Sequence, residues 1–284
     1  MYKYYKKDNF NIMEYDFDSI TEFINYLDNN KTSKSFEGEH LASYNGNYEF
    51  TKTSSFEEAE KLCKSGYHEE YDKLIELKLK LEKYIRLSRK NEKQFNDYIG
   101  YAPDVKAYLE GNPMNMLNKK REHKKRVNIY YNSAVLGDIT NSQILNRGVI
   151  TLNIVEALEK LNYSVNLNIF TMSEEKNQIH YAKFNLKREN ERLNIQKLYF
   201  PMCHPSFHRR LVFRLREETS DISKDWINGY GRTSNEKMIR KILDLNEDDI
   251  IICRPEEMNV YGDNIIEDAD NAFNHINKQK AKKL

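Results

Sequence analysis

The hydrophobic pattern changes period twice between residues 127 and 170. Val127-Asn128-Ile129-Tyr130-Tyr131-Asn132 is β-branched and aromatic, which predicts a buried strand. The polar stretch 133–146 predicts a loop. From Arg147 to Asn162, the residues Ile150, Ile154, Ala157, Leu158 and Leu161 recur at helical spacing on one face. Residues 163–170 then alternate apolar with polar, the period of a strand. Strand, loop, helix and strand in this order predict a parallel βαβ unit. In such sheets ligands gather at the carboxyl ends of the strands, here the 133–146 loop.

The flanking segments follow the same logic. Asp18-Ser19 caps a helix that carries Ile20, Phe23, Ile24 and Leu27 on one side. Thr53-Ser54-Ser55 opens a second helix, with Glu57 and Glu58 in its first turn and Gly66 at its stop. A longer helix over 68–88 shows a stripe of Leu74, Leu77, Leu81 and Ile85. Residues 98–116 are punctuated by Pro103, Gly111 and Pro113; they read as a compact plug against the sheet, with a binding loop as the alternative. Residues 178–186 predict a strand antiparallel to the one before it. Residues 203–214 predict a helix with His208, Arg209 and Arg210 along a polar edge. Ile250 to Cys253 predicts a short buried strand, and 265–276 a closing helix. The fold class expected is α/β: a helical N-terminal region, 1–118, packed on a Rossmann-type mixed-sheet domain, 119–284.

Charge and composition narrow the function classes. Lys+Arg 45 against Asp+Glu 44 leaves +1, so no global field draws the chain to nucleic acid or to an anionic membrane. No apolar run reaches the ~20 residues of a membrane span. Cys63, Cys203 and Cys253 are widely spaced and odd in number, giving neither a metal spacing nor a disulfide framework. That usage fits a reducing cytoplasm, and Cys253 reads as a small core residue.

Candidate chemistry is sparse. Lys119, Lys120, Arg121, Lys124, Lys125 and Arg126 form the densest basic cluster, able to meet phosphates or simply to solvate an edge strand; Arg209 and Arg210 would extend such a surface. Asn132, Ser133 and Asp138, with Thr140 and Ser142, place oxygen donors at the sheet edge. His204 and His208 are four apart and would share a helix face, but Pro205 stands where a zinc-binding His-Glu-x-x-His needs its Glu. No phosphate loop, dinucleotide fingerprint or complete catalytic set is present. The expectation is therefore no catalytic residue, no metal and no cofactor.

Two resemblances can be stated on these residues. The strand, the Ser-containing loop, Arg147-Gly148, Ala157-Leu158-Glu159 and Tyr163-Ser164-Val165 resemble a von Willebrand factor A-like domain. Such domains carry Asp-x-Ser-x-Ser after the first strand. Here the run is Tyr130-Tyr131-Asn132-Ser133-Ala134, without the leading Asp, which implies a degenerate metal site. More specifically, three segments resemble an uncharacterised family encoded by bacteriophages and their hosts: Thr53-Ser54-Ser55-Phe56-Glu57-Glu58-Ala59 up to Gly66, Ala102-Pro103-Asp104 through Gly111-Asn112-Pro113, and Asn146-Arg147-Gly148 with His204-Pro205-Ser206-Phe207-His208-Arg209-Arg210. That resemblance implies a phage or prophage setting in a bacterial cytoplasm.

The function expected is a non-enzymatic accessory protein that binds another macromolecule, a host factor or virion component. One alternative is nucleic-acid binding through the basic cluster. Another is a metal-dependent enzyme at Asn132–Asp138 with His204 and His208. A homo-oligomer is compatible with all three.

Overall fold

The structure is a computed structural model that describes residues 2–29, 48–67, 70–84, 94–119, 125–218, 232–246 and 248–281. It opens with an antiparallel hairpin, β1 (Tyr2–Lys7) and β2 (Phe10–Phe17), where a helical region was expected. Helix α1 (Ile20–Asn29) follows, its first turn held by Glu22 N–H donating to Ser19 Oγ. After α2 (Tyr48–Thr51) comes α3 (Phe56–Ser65), capped by Ser55 as its sequence predicts. Helix α4 (Tyr71–Tyr84) buries Leu74 and Leu81; Ile85 lies outside the described residues. A small unit then carries β3 (Gln94–Asp97), β4 (Ala102–Pro103), α5 (Val105–Leu109) and β5 (Met116–Lys119).

The central unit is β6 (Lys125–Asn132), α6 (Asn141–Lys160) and β7 (Tyr163–Glu175), with β6 and β7 parallel. Helix α6 starts at Asn141, ahead of the Arg147 start that the apolar stripe suggests. The reason is a capping box at Thr140, in which Thr140 and Gln143 satisfy each other's backbone groups. Strand β8 (Gln178–Lys187) returns antiparallel to β7, as expected. Helix α7 (Ile195–Cys203) follows and ends where the sequence predicts a helix over 203–214 to begin. A π-helix (Phe207–Val212), α8 (Phe213–Glu218), β9 (Arg232–Thr233), α9 (Glu236–Leu243), β10 (Ile250–Ile252), α10 (Pro255–Met258) and α11 (Ile265–Ala281) complete the order.

The main sheet is mixed and seven-stranded, in the order β1-β2-β8-β7-β6-β10, with β9 pairing the end of β7. The fold is therefore α/β, and its N-terminal hairpin is part of the sheet. Strand β2 runs parallel to β8, matching Phe17 to Phe184. One core runs through both expected regions, from Ile12, Phe23 and Phe56 to Ile129, Ile252 and Ile276.

The sheet's two faces differ. Val127, Ile129 and Tyr131 face the helices, while Asn128 sits on the opposite face. There Asn128 donates to Asp249 (2.9 Å), Asn166 donates to Asn128 (3.1 Å), and Asn185 donates to Asn166 (2.8 Å) and Asn168 (3.1 Å). This amide row floors an open groove of about 530 Å³. On the helical face, α6 is buried around most of its girth, because α4, α7 and α11 all pack on it. At Gly148 an added Cβ would lie 2.3 Å from Cys203 Sγ, so only glycine lets α6 approach α7 this closely.

Candidate functional site

The carboxyl ends of β6 and β10, where ligands were expected, are filled by the protein's own groups. Arg147 Nε donates to Tyr131 Oη (3.0 Å), Tyr131 Oη donates to the Met202 carbonyl (2.6 Å), and Arg147 also donates to the Cys253 carbonyl (3.2 Å). One guanidinium thus links β6, β10 and α7. Asn132 Oδ1 accepts from the Ala134 amide, and Ser133 Oγ donates to the Phe170 carbonyl (3.0 Å). His208 Nδ1 lies 3.3 Å from that hydroxyl. Both residues are 5% exposed. Burial, then the charges of Arg216, Arg209 and Arg147, hold the His208 imidazole well below its ordinary pKa. With its hydroxyl donating to the Phe170 carbonyl and the His208 ring packed beside it, Ser133 ties the loop after β6 to β7 and to the π-helix. Asp138 stands exposed on a turn.

His204 and His208 do not share a face. His204 ends α7 with extended backbone, and the π-helix after it resets the phase. His204 packs between Tyr67 and Phe200, at ring distances of 4.7 and 4.8 Å, and burial pushes its pKa down to about 4. The expected polar edge of His208, Arg209 and Arg210 is corrected for the same reason. His208 points inward to Ser133, and Arg210 is 1% exposed. Arg210 donates to Thr53 Oγ1 (2.6 Å), the Thr53 carbonyl (2.6 Å) and Thr51 Oγ1 (3.3 Å). Arg209 donates to the Leu136 carbonyl and lies over the Phe50 and Phe213 rings.

Of the basic cluster, Lys120, Arg121 and Lys124 lie outside the described residues, and Lys119 is placed as the end of β5. Lys125 is exposed. Arg126 is exposed too and pairs with Glu189 at 3.0 Å, on the rim of the asparagine-floored groove.

The most open apolar surface belongs to the small unit over 94–119. Strand β5 pairs antiparallel with both β3 and β4. Asp104 caps α5, accepting from the Lys106 and Ala107 amides, and its carboxyl is held below the usual range first by the Asn96 side chain and then by the Ala107 amide. Gly111 takes φ +72 to leave α5, and Asn118 donates to the Ile99 carbonyl. The unit is thus held by caps and turns. Among its residues with described side chains, Ala107 alone is buried. The plug expected against the sheet instead presents Phe95, Tyr98, Ile99, Tyr101, Val105, Tyr108, Leu109 and Met114 to solvent. These are eight of the fourteen exposed large apolar side chains among the described residues, with Ile99 at 80% and Leu109 at 78%. Such a concentration exceeds the single exposed apolar side chains that are ordinary on a surface. The sequence signals the turns of this unit through Pro103, Gly111 and Pro113, but not the exposure of its apolar side chains.

Fold and surface together define an α/β protein with a mixed main sheet and a separate small three-stranded unit whose apolar side chains are exposed. The chain belongs to the family described as Domain of unknown function (DUF7192), which matches residues 3–280. Comparison with curated proteins and with solved structures found no match. No helix among the described residues is long and apolar enough to cross a membrane.

Proposed function

We propose that this protein acts by binding another macromolecule, a protein, through the 94–119 unit. The observation that carries this reading is the mismatch inside the unit: eight large apolar side chains are exposed, while Ala107 alone is buried. Three short strands without a hydrophobic core of their own gain stability when something covers them. Covering a side chain such as Ile99 or Leu109 is worth about 1.5–3 kcal/mol each. A few such anchors suffice for a specific interface. The resemblance to phage-associated proteins makes a host factor or virion component in a bacterial cytoplasm the partner class. The von Willebrand factor A-like reading of the sheet domain belongs to the same proposal. It is supported by the parallel β6–α6–β7 unit and its polar loop, in which the Tyr130–Ala134 run lacks the leading Asp of the signature.

The test compares wild type with an Ile99→Ser/Leu109→Ser variant as bait in infected cells. A partner retained by wild type and lost by the variant, with both proteins unfolding at the same temperature, supports the reading. The same captured set for both overturns it. Nucleic-acid binding is the second reading, favoured by the basic run at 119–126 and by three exposed tyrosines, Tyr98, Tyr101 and Tyr108, earlier in the same unit. It requires affinity that falls steeply with salt and weakens on neutralising Lys124, Lys125 and Arg126.

A further inference from the structure

Glu236, Cys253 and His275 come from three separate elements and carry no recognisable spacing in the sequence. Glu236 is the first residue of α9, Cys253 directly follows β10, and His275 lies on α11. Their ligand atoms all lie within 4.8 Å of one another, and His275 Nε2 is 3.3 Å from Glu236 Oε2. Among the described residues this is the one group of three His, Cys, Asp or Glu side chains that converges in this way. We propose that it is a binding site for a divalent transition metal of the zinc class.

The donor set favours that class. One thiolate, one imidazole and one carboxylate suit zinc, at roughly 2.3 Å from sulfur and 2.0–2.2 Å from nitrogen and oxygen. Those bond lengths put tetrahedral ligand atoms roughly 3.3–3.7 Å apart, so the observed spacing closes on an ion with only a small inward shift. A surrounding shell is also in place. Arg240 Nε donates to the other Glu236 oxygen at 2.8 Å, and Gln279 Nε2 reaches Cys253 Sγ at 3.5 Å. Arg240 in turn donates to Gln279 Oε1 at 3.0 Å, closing a ring around the three donors. Hydrogen bonds of this kind orient ligands and tune their basicity.

Charge bookkeeping fits as well. A thiolate and a carboxylate neutralise a divalent ion, which leaves Arg240 as the outer cation. Cysteine binds such an ion as the thiolate, so loading releases the Cys253 proton to solvent. His275 and Glu236 are partly exposed, so the ion has a route in and water can fill the fourth position. Loading would fasten α9 and α11 to the end of β10.

The test titrates the full chain with cobalt(II), the spectroscopic stand-in for zinc, in a reductant that carries no thiol. The expected result is one cobalt per chain with a thiolate-to-metal charge-transfer band, displaced by zinc. Cys253→Ser should abolish the band, and His275→Ala should weaken affinity by about 100-fold or more. Gln279→Ala should weaken it by about 10–100-fold while keeping the band. Because Cys253 is buried, His275→Ala serves as the variant least exposed to misfolding, with its circular dichroism matched to wild type. No binding at millimolar cobalt, or a band that survives in Cys253→Ser, overturns the proposal.

Discussion

Replacing Arg210 with alanine tests whether the π-helix carries structural or surface chemistry. The guanidinium makes three hydrogen bonds to Thr51 and Thr53 from a position that is 1% exposed. Thr53 Oγ1 also lies 2.6 Å from Ser206 Oγ, so the network joins the α2–α3 connection to the π-helix. A hydrogen bond involving a charged group contributes about 1.5–3 kcal/mol, and contributions within one network do not add fully. Allowing for that, Arg210→Ala should cost about 3–5 kcal/mol. At about 2–4 °C per kcal/mol for a chain of this size class, the unfolding midpoint should fall by on the order of 10 °C. Arg126→Ala is the control: an exposed ion pair is worth about 0–1 kcal/mol. Differential scanning calorimetry reads both. An Arg210→Ala midpoint within about 2 °C of wild type would refute the assignment of Arg210 to the scaffold and return it to the surface.

Two further outcomes are expected. His180, His204 and His208 are all held below the ordinary imidazole value, chiefly by burial, with Arg216 adding to the effect on His180 and His208. The unfolded chain takes up these protons below about pH 6.5 and the folded chain does not, so stability is full above that pH and lost as pH falls, by up to about 1.4 kcal/mol per pH unit for each ring. Urea midpoints measured from about pH 7.5 to about pH 5.5 should therefore decline, and a flat profile would contradict the burial of these rings. At Gly100, an added Cβ would stand 2.1 Å from the Leu117 carbonyl oxygen, which accepts from Tyr101 N–H at 3.0 Å. Gly100→Ala should raise amide exchange across 94–119 while the main-sheet amides stay protected; unchanged exchange in that unit would contradict the described turn.

The parts legible in the sequence are those whose periodicity is local. The 127–170 stretch announces strand, helix and strand because each period repeats long enough to be seen. The hairpin was missed because β2 buries Ile12, Tyr15 and Phe17, an irregular spacing that follows neither strand nor helix period. The inward turn of Arg210 was hidden by the π-helix, whose wider ring shifts the phase by one residue. In 98–116 the turns at Pro103 and Gly111 were readable, but whether Ile99 or Leu109 is covered depends on neighbours the local pattern does not contain. The convergence of Glu236, Cys253 and His275 is a product of tertiary packing and leaves no spacing to find.

Strand β2 pairs with β8, matching Phe17 to Phe184, so their partners are separated by 184 − 17 = 167 residues. The chain is synthesised from its amino end at about 5–20 residues per second. The first hairpin therefore waits roughly 10–30 seconds before its neighbouring strand exists. Through that interval β2 keeps an open hydrogen-bonding edge, and the aromatic rings of Tyr15 and Phe17 have no sheet to lie in. A hairpin synthesised that much earlier than its partner is secured late, and a nascent chain stalled before residue 178 would present that edge to whatever chaperone or aggregate reaches it first.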